Sequence, residues 1–296
     1  MPIYSVIVTR REFSATLSLA PFAAAESPRP TLCIFSKHMA QFTPAEMAKK
    51  AKEIGFGGID LTARPKGHVL PENAAADLPK AHDVIRSEGL SVPMITTDIK
   101  SAADPTARTI LAGAGKLKIP YWKPGYHQYK NDDVDAMAKS VREAIVGMVA
   151  LSKECGITAG WHNHSGNYFG QAIWDTRSVI QDLDPKWIGY YFDPAHATIE
   201  GGLGGWKTDM AVALPRLKML AVKDFYWQKT NAGWKMTWCP LGEGMVNWKE
   251  VFARLAAAKF TGPLTLHVEY QPKDEVAAIA KDFEVLKKYV SEAYGS

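Results

Sequence analysis

The chain has 296 residues, of which 47% are hydrophobic and 22% are charged, and its formal net charge is +4. This length suits one large domain or two small ones. The charges are spread along the chain without a basic run, so nucleic acid is not an expected partner. The three cysteines, Cys33, Cys155 and Cys239, form neither a disulfide framework nor a paired-cysteine zinc motif.

The first 25 residues have the pattern of an export signal. Two arginines, Arg10 and Arg11, precede a mildly apolar stretch that ends at Phe22, and residues 23–25 are all alanine. This pattern is typical of a twin-arginine signal with cleavage after Ala25, and it predicts a periplasmic protein. The alternative is a disordered basic tail. The apolar stretch is too short to anchor the chain in a bilayer, and no other segment is long and apolar enough.

From residue 31 onward, short apolar patterns of strands alternate with longer patterns of amphipathic helices. The predicted strands cover residues 31–35, 57–61, 91–97, 121–123, 157–164, 189–193, 218–224 and 264–269. The predicted helices cover residues 44–54, 75–88, 106–116, 133–154, 174–183, 209–217, 248–258 and 274–293. Eight strand–helix units over residues 31–296 predict an α/β fold, a single (β/α)8 TIM barrel, which typically needs about 250 residues.

An open doubly wound sheet is the alternative fold for this alternating pattern. Such a sheet usually carries a glycine-rich phosphate-binding turn after an early strand. The glycine-rich stretch here, Gly201 to Gly205, follows the sixth predicted strand and lacks the pattern of a helix start. We therefore expect this stretch to be a mobile loop rather than a nucleotide-binding turn.

Polar residues stand where strands five to eight end. Active sites of TIM barrels lie at the ends of the strands, and residues two apart on a strand point to the same side. The resulting pairs are His162 with His164, Tyr191 with Asp193, Ala221 with Lys223, and His267 with Glu269. Imidazoles and carboxylates that converge in this way can bind a divalent metal.

Each of these residues also has a purely structural interpretation. A single histidine in a strand is often a hydrogen-bonded core residue, and Asp193 could cap the element that begins at the next proline. Glu269 could be a surface carboxylate. Lys223 and Asp224 could form an internal ion pair.

Five short motifs follow one another through most of the chain. They are Trp161–His164 (WHNH), Phe192–His196 (FDPAH), Val222–Phe225 (VKDF), Pro240–Trp248 (PLGEGMVNW) and Gly262–Tyr270 (GPLTLHVEY). With these motifs in this order, the sequence resembles the sugar phosphate isomerase/epimerase family of the xylose isomerase-like TIM barrels. That group also includes inosose dehydratases, keto-sugar epimerases and apurinic endonucleases.

The resemblance implies a divalent metal, Mn, Co, Zn or Mg, held by Glu, Asp, His and Glu from strands five to eight. Asp193 matches the aspartate and Glu269 matches the last glutamate. His162, or His164 in a shifted register, stands in the place of the first glutamate, and Ala221 stands in that of the histidine. The expected metal ligands are therefore His162, Asp193 and Glu269.

The predicted function is that of a sugar or keto-sugar isomerase or epimerase that removes a proton next to a carbonyl. The metal, or Lys223 in its absence, polarises the carbonyl, and Glu269 or a strand-end histidine takes the proton. The catalytic candidates are Glu269, Lys223 and His196, and the candidates for substrate binding are His38, Arg64, His68, Lys123, His164 and His267.

Three other functions remain to be weighed. Elimination through the same enolate would make the protein a dehydratase or lyase. A non-catalytic carbohydrate-binding barrel is suggested by Ala221 in place of a metal ligand. A nuclease for abasic DNA would need several metals and a basic groove, which the scattered charge and the export signal argue against. The expected ligand is a small carbohydrate, and an exported protein favours an unphosphorylated or oxidised sugar.

Overall fold

The computed structural model describes residues 29–130 and 133–295, so the predicted export signal at residues 1–25 lies outside it. Ten strands are present in this part: β1 (Leu32–Phe35), β2 (Gly58–Thr62), β3 (Ser91–Thr96), β4 (Tyr121–Lys123), β5 (Thr158–His162), β6 (Ile188–Phe192), β7 (Leu217–Val222), β8 (Asp224–Thr230), β9 (Gly233–Cys239) and β10 (Leu264–Leu266). Eight of them pair in parallel in the closed order β1–β10–β7–β6–β5–β4–β3–β2. The predicted TIM barrel is therefore confirmed.

The helices that surround the barrel begin and end at residues with clear local signals. They are α1 (Pro44–Ile54), α2 (Ala74–Ser87), α3 (Ala107–Lys116), α4 (Val134–Cys155), α5 (Ile173–Ile180), α6 (Pro194–Ala213), α7 (Trp248–Ala257) and α8 (Glu275–Tyr294). At the start of α1, Thr43 and Glu46 form a capping box, and Gly55 ends the helix with φ of 111°. Asp133 caps α4 by accepting a hydrogen bond from the backbone N–H of Ala136.

The prediction of a loop at Gly201–Gly205 is wrong, because α6 begins at Pro194 and continues to Ala213. The glycines lie within this helical segment, and Gly202 breaks it into two parts with φ of 59° and ψ of −151°. Glycine adopts this backbone conformation without the strain that a side chain would cause. The helix predicted at residues 209–217 begins in the last part of α6, which ends at Ala213, and its final residue belongs to β7.

An antiparallel hairpin, formed by β8 and β9, is inserted in the chain between the barrel strands β7 and β10. The sequence pattern did not predict it. Its turn holds Gly233 with φ of 112°. Trp234, beside the turn, is 67% exposed, whereas Trp238 on the same strand turns towards the barrel mouth and contacts His196. The hairpin therefore forms one wall above the strand ends.

The interior of the barrel is closed below those strand ends by a small separate layer of side chains. Met94, Tyr191, Met219 and Ala221 pack together there, and none is more than 1% exposed. This layer forms the floor on which the polar strand-end residues stand. Among the described residues, no helix combines the length and apolar character needed to cross a membrane.

Candidate active site

A pocket with a cavity volume of about 110 Å³ opens where the barrel strands end. Seven of the residues predicted for the site line it: Arg64, Lys123, His162, His164, Lys223, His267 and Glu269. The remaining walls come from Phe35, Lys37, Thr96, Tyr126 and Tyr191. Its position at the barrel mouth and its mixed polar and aromatic lining are typical of a site for a small molecule.

The other predicted site residues lie outside the pocket wall. Asp193 and His196 are fully buried beside it, and His38 is 4% exposed. His68 is turned towards the hydroxyl of Thr62. Its backbone N–H and its Nδ1 lie 3.0 and 3.3 Å from that oxygen. His68 instead lines a separate surface cleft with residues of α1 and α2.

A buried ion pair between Lys223 and Asp193 stands at the centre of the site. Lys223 Nζ lies 3.0 Å from Asp193 Oδ2 and donates a hydrogen bond to His196 Nε2 at 2.9 Å. His162 Nε2 lies 3.2 Å from the same Asp193 oxygen. Asp193 Oδ1 accepts the backbone N–H of His196 at 3.0 Å, so this carboxylate also caps α6.

The neighbouring Asp224 has a different role, because its side chain points away from the pocket. Its carboxylate accepts the backbone N–H of Gly242 at 3.0 Å, that of Val246 at 3.2 Å and the indole N–H of Trp248 at 3.0 Å. Asp224 therefore holds the segment before α7 in place, and the ion-pair partner of Lys223 is Asp193 instead.

The imidazoles around the pocket are neutral at pH 7. Burial lowers the pKa of His162 and of His38 to about 3, and that of His164 and of His267 to about 4. Burial and then Lys223 lower the pKa of His196 well below its usual value. These rings therefore act as hydrogen-bonding groups or metal ligands rather than as cations.

The two carboxylates of the site are ionised despite their burial. Burial raises the pKa of Asp193. Lys223 and the imidazoles of His196 and His162 together lower it by more than that, so the net pKa lies well below the usual value. For Glu269, burial also raises the pKa, whereas His267, Lys223 and Lys37 lower it to a net value well below the usual one. Lys37 Nζ lies 2.7 Å from Glu269 Oε2.

The metal set implied by the family resemblance does not fit the side chains present. Both ring nitrogens of His162 are already engaged, Nδ1 with the hydroxyl of Tyr126 at 2.7 Å and Nε2 with Asp193. Lys223 occupies the Asp193 oxygen that a metal would need. Ala221 carries no donor atom and is buried in the barrel floor.

A different group of ligands does have free donor atoms. His38, His267 and Glu269 each offer one ligand atom, and these atoms all lie within 4.8 Å of one another. Glu269 Oε1 lies 3.8 Å from His38 Nε2 and 3.7 Å from His267 Nδ1. Neither nitrogen has a hydrogen-bond partner in the described part of the chain, although both are buried. Two imidazoles and a carboxylate are ligands that suit a catalytic divalent metal.

Lys37, Phe35 and Thr96 line the pocket although the sequence analysis did not single them out. Lys37 is the second residue after β1, and Thr96 is the last residue of β3, so their places at strand ends were the signal available. Phe35 carries no polar group, and its contact with the ring of His267, at a centroid distance of 4.6 Å, becomes visible only in the folded chain.

Comparison with solved structures identifies many barrels of the same fold. A xylose isomerase-like TIM barrel protein from Mycobacterium smegmatis, in complex with magnesium, is 16% identical, with a TM-score of 0.67 over 91% of this chain and 98% of that one. The 3-keto-D-glucoside 4-epimerase from E. coli is 14% identical, with a TM-score of 0.70 over 88% of this chain and 100% of that one. A D-allulose 3-epimerase from Methylomonas sp. is also 14% identical, with a TM-score of 0.69 over 90% and 99%.

No curated protein sequence matches the chain. The family model described as xylose isomerase-like TIM barrel matches residues 48–289, which is most of the chain. The chain therefore belongs to the family of xylose isomerase-like TIM barrels.

Proposed function

We propose that this protein is a sugar or keto-sugar isomerase or epimerase that moves a proton at the carbon next to a carbonyl. The observation that carries the proposal is that a carboxylate and an ammonium group, Glu269 and Lys223, line one pocket at the barrel mouth. The sugar epimerases among the structural neighbours, at 14% identity, support it through their fold.

Lys223 is suited to stabilise negative charge on a substrate oxygen. An ammonium group has three donors, of which Asp193 Oδ2 and His196 Nε2 take two. The third remains for the carbonyl oxygen of a bound sugar. A fixed cation in a buried site stabilises the enediolate that forms when the neighbouring carbon loses its proton.

Glu269 is the proposed base, and its Oε2 is the atom that takes the proton. In the free protein this oxygen is paired with Lys37, whose side chain is 42% exposed and is free to turn into solvent. When a sugar excludes water and displaces Lys37, the pKa of Glu269 rises, which brings the carboxylate closer to the basicity that proton abstraction requires.

A divalent metal held by His38, His267 and Glu269 is the cofactor part of the proposal. The unpartnered nitrogens of the two histidines support this placement. A metal there would supply Lewis acidity towards a sugar oxygen. Export by the twin-arginine route belongs to the proposal as well, and sequencing the amino terminus of periplasmic protein tests cleavage after Ala25.

Two alternatives share this pocket. Loss of a substituent from the same enolate would make the protein a lyase. A non-catalytic carbohydrate-binding barrel is supported by Ala221, which offers no metal ligand, and by the ion pair that occupies Asp193.

Product analysis by NMR after incubation with ketoses and 3-keto-glucosides tests the proposal. An epimer or isomer of unchanged mass is the expected product. A product that has lost water would support the lyase, and saturable sugar binding without any product would support the binding barrel; either result contradicts the proposed isomerase.

A further inference from the structure

Four cationic side chains line the pocket, and two of them, Lys37 and Lys223, have the carboxylate partners described above. The other two, Arg64 and Lys123, have no carboxylate oxygen within 4.0 Å in residues 29–130 and 133–295. Neither side chain donates a hydrogen bond within that part of the chain. The pocket thus contains two cations that have no counter-ion among the described residues.

Because Lys123 is buried, the lack of a counter-ion for its ammonium group costs free energy. The residue is 3% exposed, and its Nζ lies 3.4 Å from the centre of the Tyr126 ring, a contact that replaces only part of the lost hydration. Burial, and then Arg64, lower the pKa of Lys123 to about 7, while Asp98 and Asp60 act in the opposite direction. An anion beside the ammonium would remove this cost.

Asp60 does not supply that anion. It is fully buried, and its Oδ1 accepts a hydrogen bond from the hydroxyl of Thr96 at 2.8 Å. Burial raises the pKa of Asp60 to about 7, so a large fraction of this carboxyl group is protonated at neutral pH. Its oxygens also lie beyond ion-pair distance of Arg64 and Lys123.

The two unpaired cations flank Thr96 in the pocket wall, and Lys123 lies across the barrel from the proposed base. Lys123 ends β4, which stands diametrically opposite β10 in the barrel order, and Glu269 follows β10. Arg64 follows β2, and Thr96 at the end of β3 lies between the two cations in the pocket wall. Because β2 is only two strands from β10, a sugar that reaches from Glu269 to Lys123 would also pass Arg64.

We propose that the pocket binds a sugar that carries an anionic group, a carboxylate or a phosphate, which Arg64 and Lys123 hold. A guanidinium binds either group through two parallel hydrogen bonds, and an ammonium adds a point charge. This inference rests on the proposed carbohydrate function of the same pocket, and it names the substrate class as charged sugars.

Calorimetric titration with D-sorbitol, D-gluconate and D-sorbitol 6-phosphate tests this inference. None of the three has an aldehyde or ketone group, so binding is measured without turnover. The wild type should bind at least one of the two anions about tenfold or more tightly than sorbitol, because hydrogen bonds to charged groups are the stronger ones. The tighter of the two anions identifies carboxylate or phosphate as the natural group.

Lys123→Met and Arg64→Gln should each reduce this preference at least about fivefold, while Lys100→Met, which removes an exposed cation just outside the pocket, should keep it. Circular dichroism checks that the variants are folded. Equal affinity for sorbitol and both anions, or a preference that survives in Lys123→Met, would overturn the inference. The proposed function fails separately, when no sugar, neutral or charged, undergoes proton exchange.

Discussion

The Lys223 ammonium lies 3.0 Å from Asp193 Oδ2, with both side chains at most 4% exposed. The family resemblance implies a metal ligand at Asp193, and in the structure this carboxylate is paired with a fixed cation of the protein. The pair is held on both sides, since His196 accepts a hydrogen bond from the lysine and His162 contacts the carboxylate. The consequences can be measured as stability, metal content and proton transfer.

Asp193→Asn should lower the free energy of unfolding by about 3 kcal/mol or more, because it leaves Lys223 buried without its counter-ion. The asparagine oxygen can still cap α6, so loss of the cap contributes little. The double variant Asp193→Asn/Lys223→Met should recover much of the loss. Urea denaturation gives these values.

The exposed ion pair of Lys287 with Glu284 serves as the control for this comparison. Lys287→Met should change the free energy of unfolding by less than about 1 kcal/mol, because exposed pairs are screened by solvent. If the double variant Asp193→Asn/Lys223→Met is as unstable as Asp193→Asn alone, the unpaired lysine is not the source of the lost stability.

Metal content should depend on His38 and not on Asp193. The purified protein loaded with Mn, Co, Zn or Mg should hold about one equivalent by elemental analysis. His38→Gln and His267→Gln should lose it, since each removes one of three ligands, whereas Asp193→Asn should retain it. A metal that is lost from Asp193→Asn and kept in His38→Gln would instead indicate the ligand set of the family resemblance.

Replacement of Lys123 should stabilise the protein in a pH-dependent way. Burial, and then Arg64, bring the folded-state pKa of Lys123 to about 7, below its ordinary value of 10.5. Between these two values the unfolded chain binds more protons than the folded one, so wild-type stability rises with pH in this window. Lys123 therefore lowers the free energy of unfolding by its full amount below pH 7, and this effect disappears as the pH approaches 10.5.

Lys123→Met should accordingly raise the melting temperature by about 3 °C or more at pH 6, and the gain should shrink steadily towards pH 10. Lys100→Met provides a control that removes an exposed positive charge. Thermal unfolding followed by circular dichroism at several pH values gives the comparison. A gain that is equal at pH 6 and pH 10 would mean that packing, rather than the buried charge, is responsible.

The barrel could be predicted from the sequence because each strand is a short apolar run with a helix signal after it, as in the Thr43–Glu46 capping box. The hairpin β8–β9 could not, because its strands carry mixed polar and aromatic residues with little burial to impose a period. The continuation of α6 through Gly202 was missed for a similar reason. Glycines favour a loop by propensity, and the helical turns on the two sides of Gly202 are held by buried residues such as His196 and Trp206.

The site was predictable as a set of strand ends but not as a set of contacts. His162 with His164, and His267 with Glu269, line the same pocket as predicted, although three of them lie just beyond the ends of β5 and β10. Which carboxylate meets which cation depends on barrel geometry, so the pairing of Lys223 with Asp193 could not be read from the sequence.

Deuterium exchange from D2O into the carbon next to the carbonyl of a ketose tests the central proposal most directly. Wild-type protein should catalyse exchange with its preferred sugar, and Glu269→Gln should reduce the rate at least about 100-fold with an unchanged fold, because the base is lost. Lys100→Met should exchange at the wild-type rate. Equal exchange by Glu269→Gln, or sugar binding by the wild type without any exchange, would contradict the account.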